Sequence, residues 1–307
     1  MRIAMTGATG YVGTEVLARL LRRDHEVRAL VRRPDHAGPL GGLGVELIAG
    51  GLDSAEALRA LVAETDAVVH LVGIIAESRR QTFDAVHVRG TQALLAAARE
   101  AGVSLFVHMS ALGARGDAAA TKYHRSKWEA EEAVRGSPLA HVVLRPSIIA
   151  GPGNAAIGMM VNMLRFSPVV PVIGDGRYEM QPVWIGDVAE VIARALERPD
   201  LRGTFELGGA ERLTYHQVLD HLEAALGVRR PRVSVPVGIA RFAALAGTAL
   251  PNLAPITPEQ LQMLLEGSTT ADNAVESRFG VRPRAFAEVA REICAPYAAP
   301  KESVPTR

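Results

Sequence analysis

The sequence predicts an α/β protein built on a doubly wound parallel sheet, followed by a smaller α+β part. Three observations predict it. Short β-branched runs alternate with longer stretches of helical period through the first 150 residues. The runs are apolar on both sides, as in strands covered on two faces by helices. A glycine-spaced turn joins the first strand to the first helix.

The elements follow in order. Ile3–Met5 reads as a strand, and Tyr11–Arg23 as a helix with Val12, Val16, Leu17, Leu20 and Leu21 on one side. Strands at Glu26–Val31 and Val45–Ala49 precede a helix at Ala55–Ala63 and a buried strand at Ala67–Val72. Gln81–Ala101 reads as one long helix stopped by Gly102, Val103–Met109 as a strand, Thr121–Arg135 as a helix and His141–Leu144 as a strand. After residue 150 the rhythm breaks. Gly151–Asn154 reads as a turn, Ile157–Phe166 as a methionine-bearing helix and Ser167–Gly176 as a loop. Asp187 is the expected cap of a helix to about Glu197, Thr204–Leu207 a strand, and Thr214 the cap of a helix through Leu226. The expected division is a first α/β domain over 1–150. A substrate-side subdomain takes 151–180 and 201–295, and 296–307 form a loose tail.

Composition narrows the function classes. The 307 residues carry 34 Lys+Arg against 33 Asp+Glu, so no basic excess is present to neutralise nucleic-acid phosphates. Aromatics at 5% leave little for base stacking, and one cysteine, Cys294, excludes an internal disulfide or a cysteine-based metal site. His70, His108 and His124 show no ligand spacing on one element and read as packing or surface residues, so no metal site is expected. No secretory leader is legible before the first strand, which makes the cytoplasm the expected location. The apolar stretch Val237–Leu250 is too short to span a bilayer and reads as a buried or cleft-lining helix.

The turn Thr6-Gly7-Ala8-Thr9-Gly10-Tyr11-Val12-Gly13 places glycines where a diphosphate must approach backbone and a helix must pack close to a strand. The helix opening at Tyr11 offers free N–H groups and a positive dipole end to that anion. Arg32 and Arg33 end the second strand, where a carboxylate would select NAD and an arginine accommodates the 2′-phosphate of NADP. NADP(H) is therefore favoured over NAD(H). Tyr123 and Lys127 lie four apart on one helix face, and an ammonium there is expected to lower the phenol's pKa for acid–base work. With only three lysines and five tyrosines in the chain, chance is a poor source of that spacing. Ser110 follows the strand Val103–Met109, at the sheet edge where such folds present ligands.

Together these residues resemble the short-chain dehydrogenase/reductase superfamily, whose fold is Rossmann-type, in its extended and atypical branches. Leu144-Arg145-Pro146-Ser147-Ile148-Ile149-Ala150-Gly151-Pro152 and Gln181-Pro182-Val183-Trp184-Ile185-Gly186-Asp187 are similar to further segments of that superfamily, the second of which implies that 181–200 return to the dinucleotide domain of 1–150. His70-Leu71-Val72-Gly73, His87-Val88-Arg89-Gly90-Thr91 and Phe106-Val107-His108-Met109-Ser110 look most like the group of the 39 kDa accessory subunit of respiratory complex I. The resemblance implies Ser110, Tyr123 and Lys127 as catalytic. It implies cofactor contacts at Gly7, Thr9, Gly10, Tyr11, Val12, Gly13, Arg32, Arg33, Leu52, Asp53, Leu71, Val72, Gly73, Lys127, Pro146 and Ile148.

Three departures stand out. Ser110 and Tyr123 are thirteen apart, shorter than in sugar epimerases. His87 replaces the usual asparagine, and Gly50-Gly51-Leu52-Asp53 replaces Gly-Asp-Leu. Three functions follow from the resemblance: an NADP(H)-dependent oxidoreductase, a non-catalytic NADPH-binding scaffold, or a nucleotide-sugar epimerase or dehydratase. The substrate is an unidentified small molecule. Met159, Met160, Met163, Phe166 and the Val237–Leu250 segment suggest an apolar cleft, although methionines commonly just fill core gaps, and the resemblance adds a quinone-like substrate. Peripheral contact with a membrane or a respiratory complex belongs to the same expectation.

Overall fold

The computed structural model describes residues 1–33, 38–79, 81–249 and 256–297. The chain opens with β1 (Arg2–Thr6), α1 (Tyr11–Leu21), β2 (Glu26–Val31), β3 (Glu46–Ala49), α2 (Ala55–Val62) and β4 (Ala67–His70). A π-helical stretch over Asp84–Arg89 runs into α3 (Gly90–Glu100), followed by β5 (Leu105–Met109), α4 (Lys122–Arg135) and β6 (Ala140–Pro146). Next come β7 (Ile149–Ala150), α5 (Ala155–Phe166), β8 (Val170–Ile173), β9 (Glu179–Met180) and β10 (Val183–Trp184). The chain continues through α6 (Ile185–Glu197), β11 (Gly203–Leu207), β12 (Leu213–Thr214), α7 (Tyr215–Leu226) and β13 (Arg232–Val235). It ends with α8 (Val237–Ala249), α9 (Pro258–Glu266), α10 (Ala274–Ser277) and α11 (Phe286–Cys294).

Seven parallel strands in the order β11-β6-β5-β4-β1-β2-β3 form the central sheet of a Rossmann-type α/β fold. Strand β4 is buried along its whole length and β5 likewise, because helices cover both faces. The order reverses between β1 and β4, and at such a switch point a crevice opens at the carboxyl ends of the strands. Helix α6 lies beside α1, where Glu190 pairs with Arg19 at 2.8 Å and Arg23 at 2.7 Å.

The chain divides into two compact units. The first comprises Met1–Ser147, Ile185–Gly208 and Ser268–Pro283, and the second Ile148–Trp184, Gly209–Gly267 and Arg284–Arg307. The sequence division put 201–295 wholly in the smaller part. Instead β11 joins the sheet beside β6, and Asn273 Nδ2 donates to Gly208 O at 3.0 Å, which ties the 268–283 stretch to the same unit. The second unit has its own core, with Ile157, Leu164, Leu219, Leu222, Phe286 and Ile293 from α5, α7 and α11.

Other elements differ from expectation. Residues Val170–Ile173, read as loop, pair in parallel with β13, a partner some sixty residues away that local pattern does not announce. The helix expected from Gln81 starts at the π-helical turn, where Thr82 Oγ1 accepts from the Ala85 amide at 3.1 Å. Asp187 lies inside the first turn of α6, buried, rather than at its cap. Helix α8 packs through Ala240 and Ala244 onto Leu261, and leaves Ile239, Phe242 and Leu245 exposed rather than buried. Met160 is core, whereas Met159 and Phe166 are exposed. Among the described residues no helix is long and apolar enough to cross a membrane. The expected tail falls outside the described residues from 298 onward, as does Leu250.

Candidate dinucleotide and acid–base site

The glycine turn between β1 and α1 is built by sterics. Gly7 has φ +78°, a left-handed conformation that favours glycine, and the Gly10 amide donates to its carbonyl at 2.9 Å. A methyl group on Gly13 would fall 1.9 Å from the Gly7 oxygen, and one on Gly7 would fall 3.1 Å from Leu71 C and Val72 N. Gly10, in extended conformation, precedes α1 with no side-chain cap, and Thr9 and Gly10 are exposed. The amides opening the helix are thus open to an anion, with Tyr11 and Val12 half-buried beside them and Gly13 buried. That cradle fits a dinucleotide diphosphate. Arg32 and Arg33 stand exposed at the end of β2, with no ion pair among the described residues. Leu52 is half-buried against helix α3, where a methyl on Gly90 would meet its Cδ1 at 2.7 Å, and Asp53 is exposed.

The candidate acid–base residues Tyr123 and Lys127 sit on α4, capped by Thr121, whose Oγ1 accepts from the His124 amide at 3.1 Å. Lys127 is buried and its Nζ donates to Met109 O at 3.0 Å. A methyl on Gly73 would lie 3.1 Å from that Nζ, so Gly73 leaves the ammonium room. Burial lowers the Lys127 pKa to about 8, against the opposing pull of Glu131. Tyr123 packs edge-on to Phe83 and His87 at 5.8 and 5.7 Å, and burial pushes its phenol up to about 12. The expected lowering of that phenol by Lys127 is therefore not found: desolvation governs it, and the ammonium is engaged by a carbonyl.

Ser110 is buried, and its Oγ donates to Glu131 Oε1 at 2.5 Å. Glu131 is fully buried and accepts from Arg145 Nε and Nη2 at 2.8 and 2.6 Å, and from Arg135 Nη1 at 2.7 Å. Burial raises this carboxyl, but the bonds from Arg145, Ser110 and Arg135 outweigh it and hold the group below the usual range. Glu131 was not singled out from the sequence, although its position one turn beyond Lys127 was visible. Pro146 ends β6 with its carbonyl accepting from the Leu112 amide at 2.9 Å, and Ile148 begins the second unit, half-buried against its core.

Sequence reasoning also passed over a chain of hydroxyls and imidazoles. Thr6 Oγ1 meets His70 Nδ1 at 2.6 Å, and His70 Nε2 meets Thr91 Oγ1 at 3.0 Å. Thr91 in turn donates to the His87 carbonyl at 2.5 Å. His87 Nδ1 meets Ser126 Oγ at 2.8 Å, while its Nε2 accepts from the Ile74 amide at 3.0 Å. His108 is stacked on His70 with ring centroids 5.4 Å apart. Burial foremost, with Lys127 adding repulsion, lowers His70 to about 3 and His87 to about 2, so both rings are neutral. His124 packs under Gly113, where a methyl would meet its ring at 3.0 Å.

Residues 7–199 match the family described as NAD(P)H-binding. The chain belongs to that family. Sterol demethylase protein B of Methylococcus capsulatus is 31% identical over 77% of this chain and 78% of its own length. Ceramide reductase of Caulobacter vibrioides is 30% identical over 76% and 73%. The mitochondrial NADH dehydrogenase [ubiquinone] 1 alpha subcomplex subunit 9 of Arabidopsis thaliana is 26% identical over 88% and 71%, which bears out the resemblance to the complex I subunit group. The fold is also that of the Thermus thermophilus UDP-glucose 4-epimerase solved with NAD, at TM-score 0.74 and 22% identity over 97% of this chain and 99% of that one.

Proposed function

We propose that the protein is an NADP(H)-dependent oxidoreductase acting on a carbonyl or hydroxyl of an apolar, lipid-like or quinone-like substrate. The observation that carries this reading is the placement of Tyr123 and Lys127 one turn apart on α4, with the Lys127 Nζ set against Gly73. The glycine cradle and the α1 N-terminus hold the diphosphate, Arg32 and Arg33 face a 2′-phosphate, and Lys127 binds the ribose near Gly73. A nicotinamide bound there supplies or accepts the hydride. Tyr123, neutral until about pH 12, serves as the proton donor to a carbonyl oxygen. Ser110 has its single proton committed to Glu131, so its oxygen acts as an acceptor towards a hydroxyl rather than a donor to a carbonyl. The apolar substrate class is supported by the sterol and ceramide in two relatives' names.

Tyr123→Phe tests the reading: turnover of NADPH with a panel of quinones, ketosteroids and ketosphingolipids should fall at least a hundredfold. The NADPH dissociation constant should stay within about threefold of wild type by calorimetry. Equal loss of both would overturn the assigned role.

A second reading is a scaffold that binds NADPH for stability, as favoured by the internal engagement of Lys127 and Ser110 and by likeness to a respiratory-complex subunit. It expects a large thermal shift with NADPH, about 2.7 kcal/mol at a hundredfold excess over Kd, and no oxidation of the bound cofactor by any of those substrates.

A further inference from the structure

The segment Leu71–Ile74 runs from the glycine turn to the acid–base helix. Its near end is fixed by the Leu71 amide, which donates to Thr6 O at 3.2 Å, and by close approach to Gly7. At its far end Gly73 faces Lys127 Nζ, with His87 Nε2 next nearest, 3.5 Å from where a methyl would stand. A dinucleotide whose diphosphate sits on the turn must lie along this segment to bring a ribose to Lys127.

Counting protons gives the hydrogen bonds a single direction. Ser126 Oγ donates to the Tyr123 carbonyl at 2.8 Å, and a hydroxyl has only one proton. It therefore accepts from His87, whose Nδ1 carries the hydrogen, leaving Nε2 bare to receive the Ile74 amide. Thr91 likewise donates to the His87 carbonyl and accepts from His70 Nε2–H, which leaves His70 Nδ1 to accept from Thr6. Every polar hydrogen in this series thus has an acceptor, and the rings of His70 and His87 are each confined to one neutral tautomer.

We infer that His87 is a positioning residue: its ring bridges the Ile74 amide to Ser126 on α4 and so sets the gap between the Leu71–Ile74 segment and Lys127. Its backbone carbonyl, reached through Thr91 and His70 from Thr6, references that gap to the glycine turn. A glutamine side chain likewise carries one acceptor and one donor group.

The inference rests on the dinucleotide reading, and the test separates the two. Wild type, His87→Ala and His87→Gln are titrated with NADPH or NADH, whichever wild type binds more tightly, and with the matching adenosine half, adenosine 2′,5′-bisphosphate or ADP. The whole dinucleotide should bind at least tenfold more weakly to His87→Ala, its adenosine half should bind within twofold of wild type, and His87→Gln should recover most of the loss. Nitrogen-15 NMR of wild type should show His87 as the Nδ1–H tautomer. Equal weakening of both ligands, no weakening of either, or the Nε2–H tautomer would overturn the positioning role, and the NMR decides it if His87→Ala does not fold. Failure of wild type to bind any of these ligands would instead overturn the proposed function.

Discussion

Two buried polar clusters flank Lys127 and share helix α4, and they are built on opposite principles. One is neutral: Thr6, His70, Thr91, His87 and Ser126 pass hydrogen bonds in one direction, with neither imidazole charged. The other is ionic: Glu131 is fully buried and receives Ser110, Arg145 and Arg135. A neutral network keeps positive charge away from an ammonium whose own burial already costs stability. An ionic one offsets the desolvation of a carboxylate only while every partner stays in place. The contrast teaches that the same site is sensitive to acid through one cluster and to substitution through the other.

Acidification should break the neutral cluster first, with the largest effect. His70, His87 and His108 all have folded pKa values lowered by burial, so unfolding takes up protons once pH falls below their unfolded value of about 6.5. Their contribution to stability is complete above that pH and declines below it, by about 2 kcal/mol at pH 5 for each of His70 and His87. Urea midpoints measured from pH 7.5 to 5 should fall steeply, and a flat profile would mean that these rings are not held neutral.

Removing one partner from the ionic cluster comes next. Glu131→Ala leaves Arg145, Arg135 and Ser110 without their common acceptor and should cost about 3–5 kcal/mol in urea unfolding. A loss under about 1 kcal/mol would show that solvent replaces the carboxylate there, against its full burial.

The smallest effect has the opposite sign. Lys127→Met removes a buried ammonium whose pKa is lowered to about 8, and should raise stability at pH 7 by about 1–2 kcal/mol while weakening dinucleotide binding. Because the unfolded chain holds that proton longer, wild-type stability should also rise between pH 8 and about 9.5, a rise absent in the variant. Thermal midpoints across that range distinguish the two proteins.

The local geometry of the candidate site was legible in the sequence. The glycine spacing at 7, 10 and 13 translates directly into close backbone approach, and the four-residue step from Tyr123 to Lys127 into one helix face, because both depend on local geometry alone. The histidines at 70, 87 and 108 were visible as letters but not as partners, since Thr6, His70, Thr91 and Ser126 meet only when β1, β4, α3 and α4 come together. Strand β8 escaped for the same reason: its pairing with β13 is a long-range contact that no window of local pattern contains.

The sequence by itself determined the alternation of strands and helices through the first 150 residues and the glycine turn between β1 and α1, because backbone sterics and hydrophobic period act over a few neighbours. Tertiary structure alone decided the charges. Burial raised Tyr123 to about 12, brought Lys127 to about 8 and kept His70 and His87 neutral. Solvation depends on everything packed around a group, most of it distant along the chain.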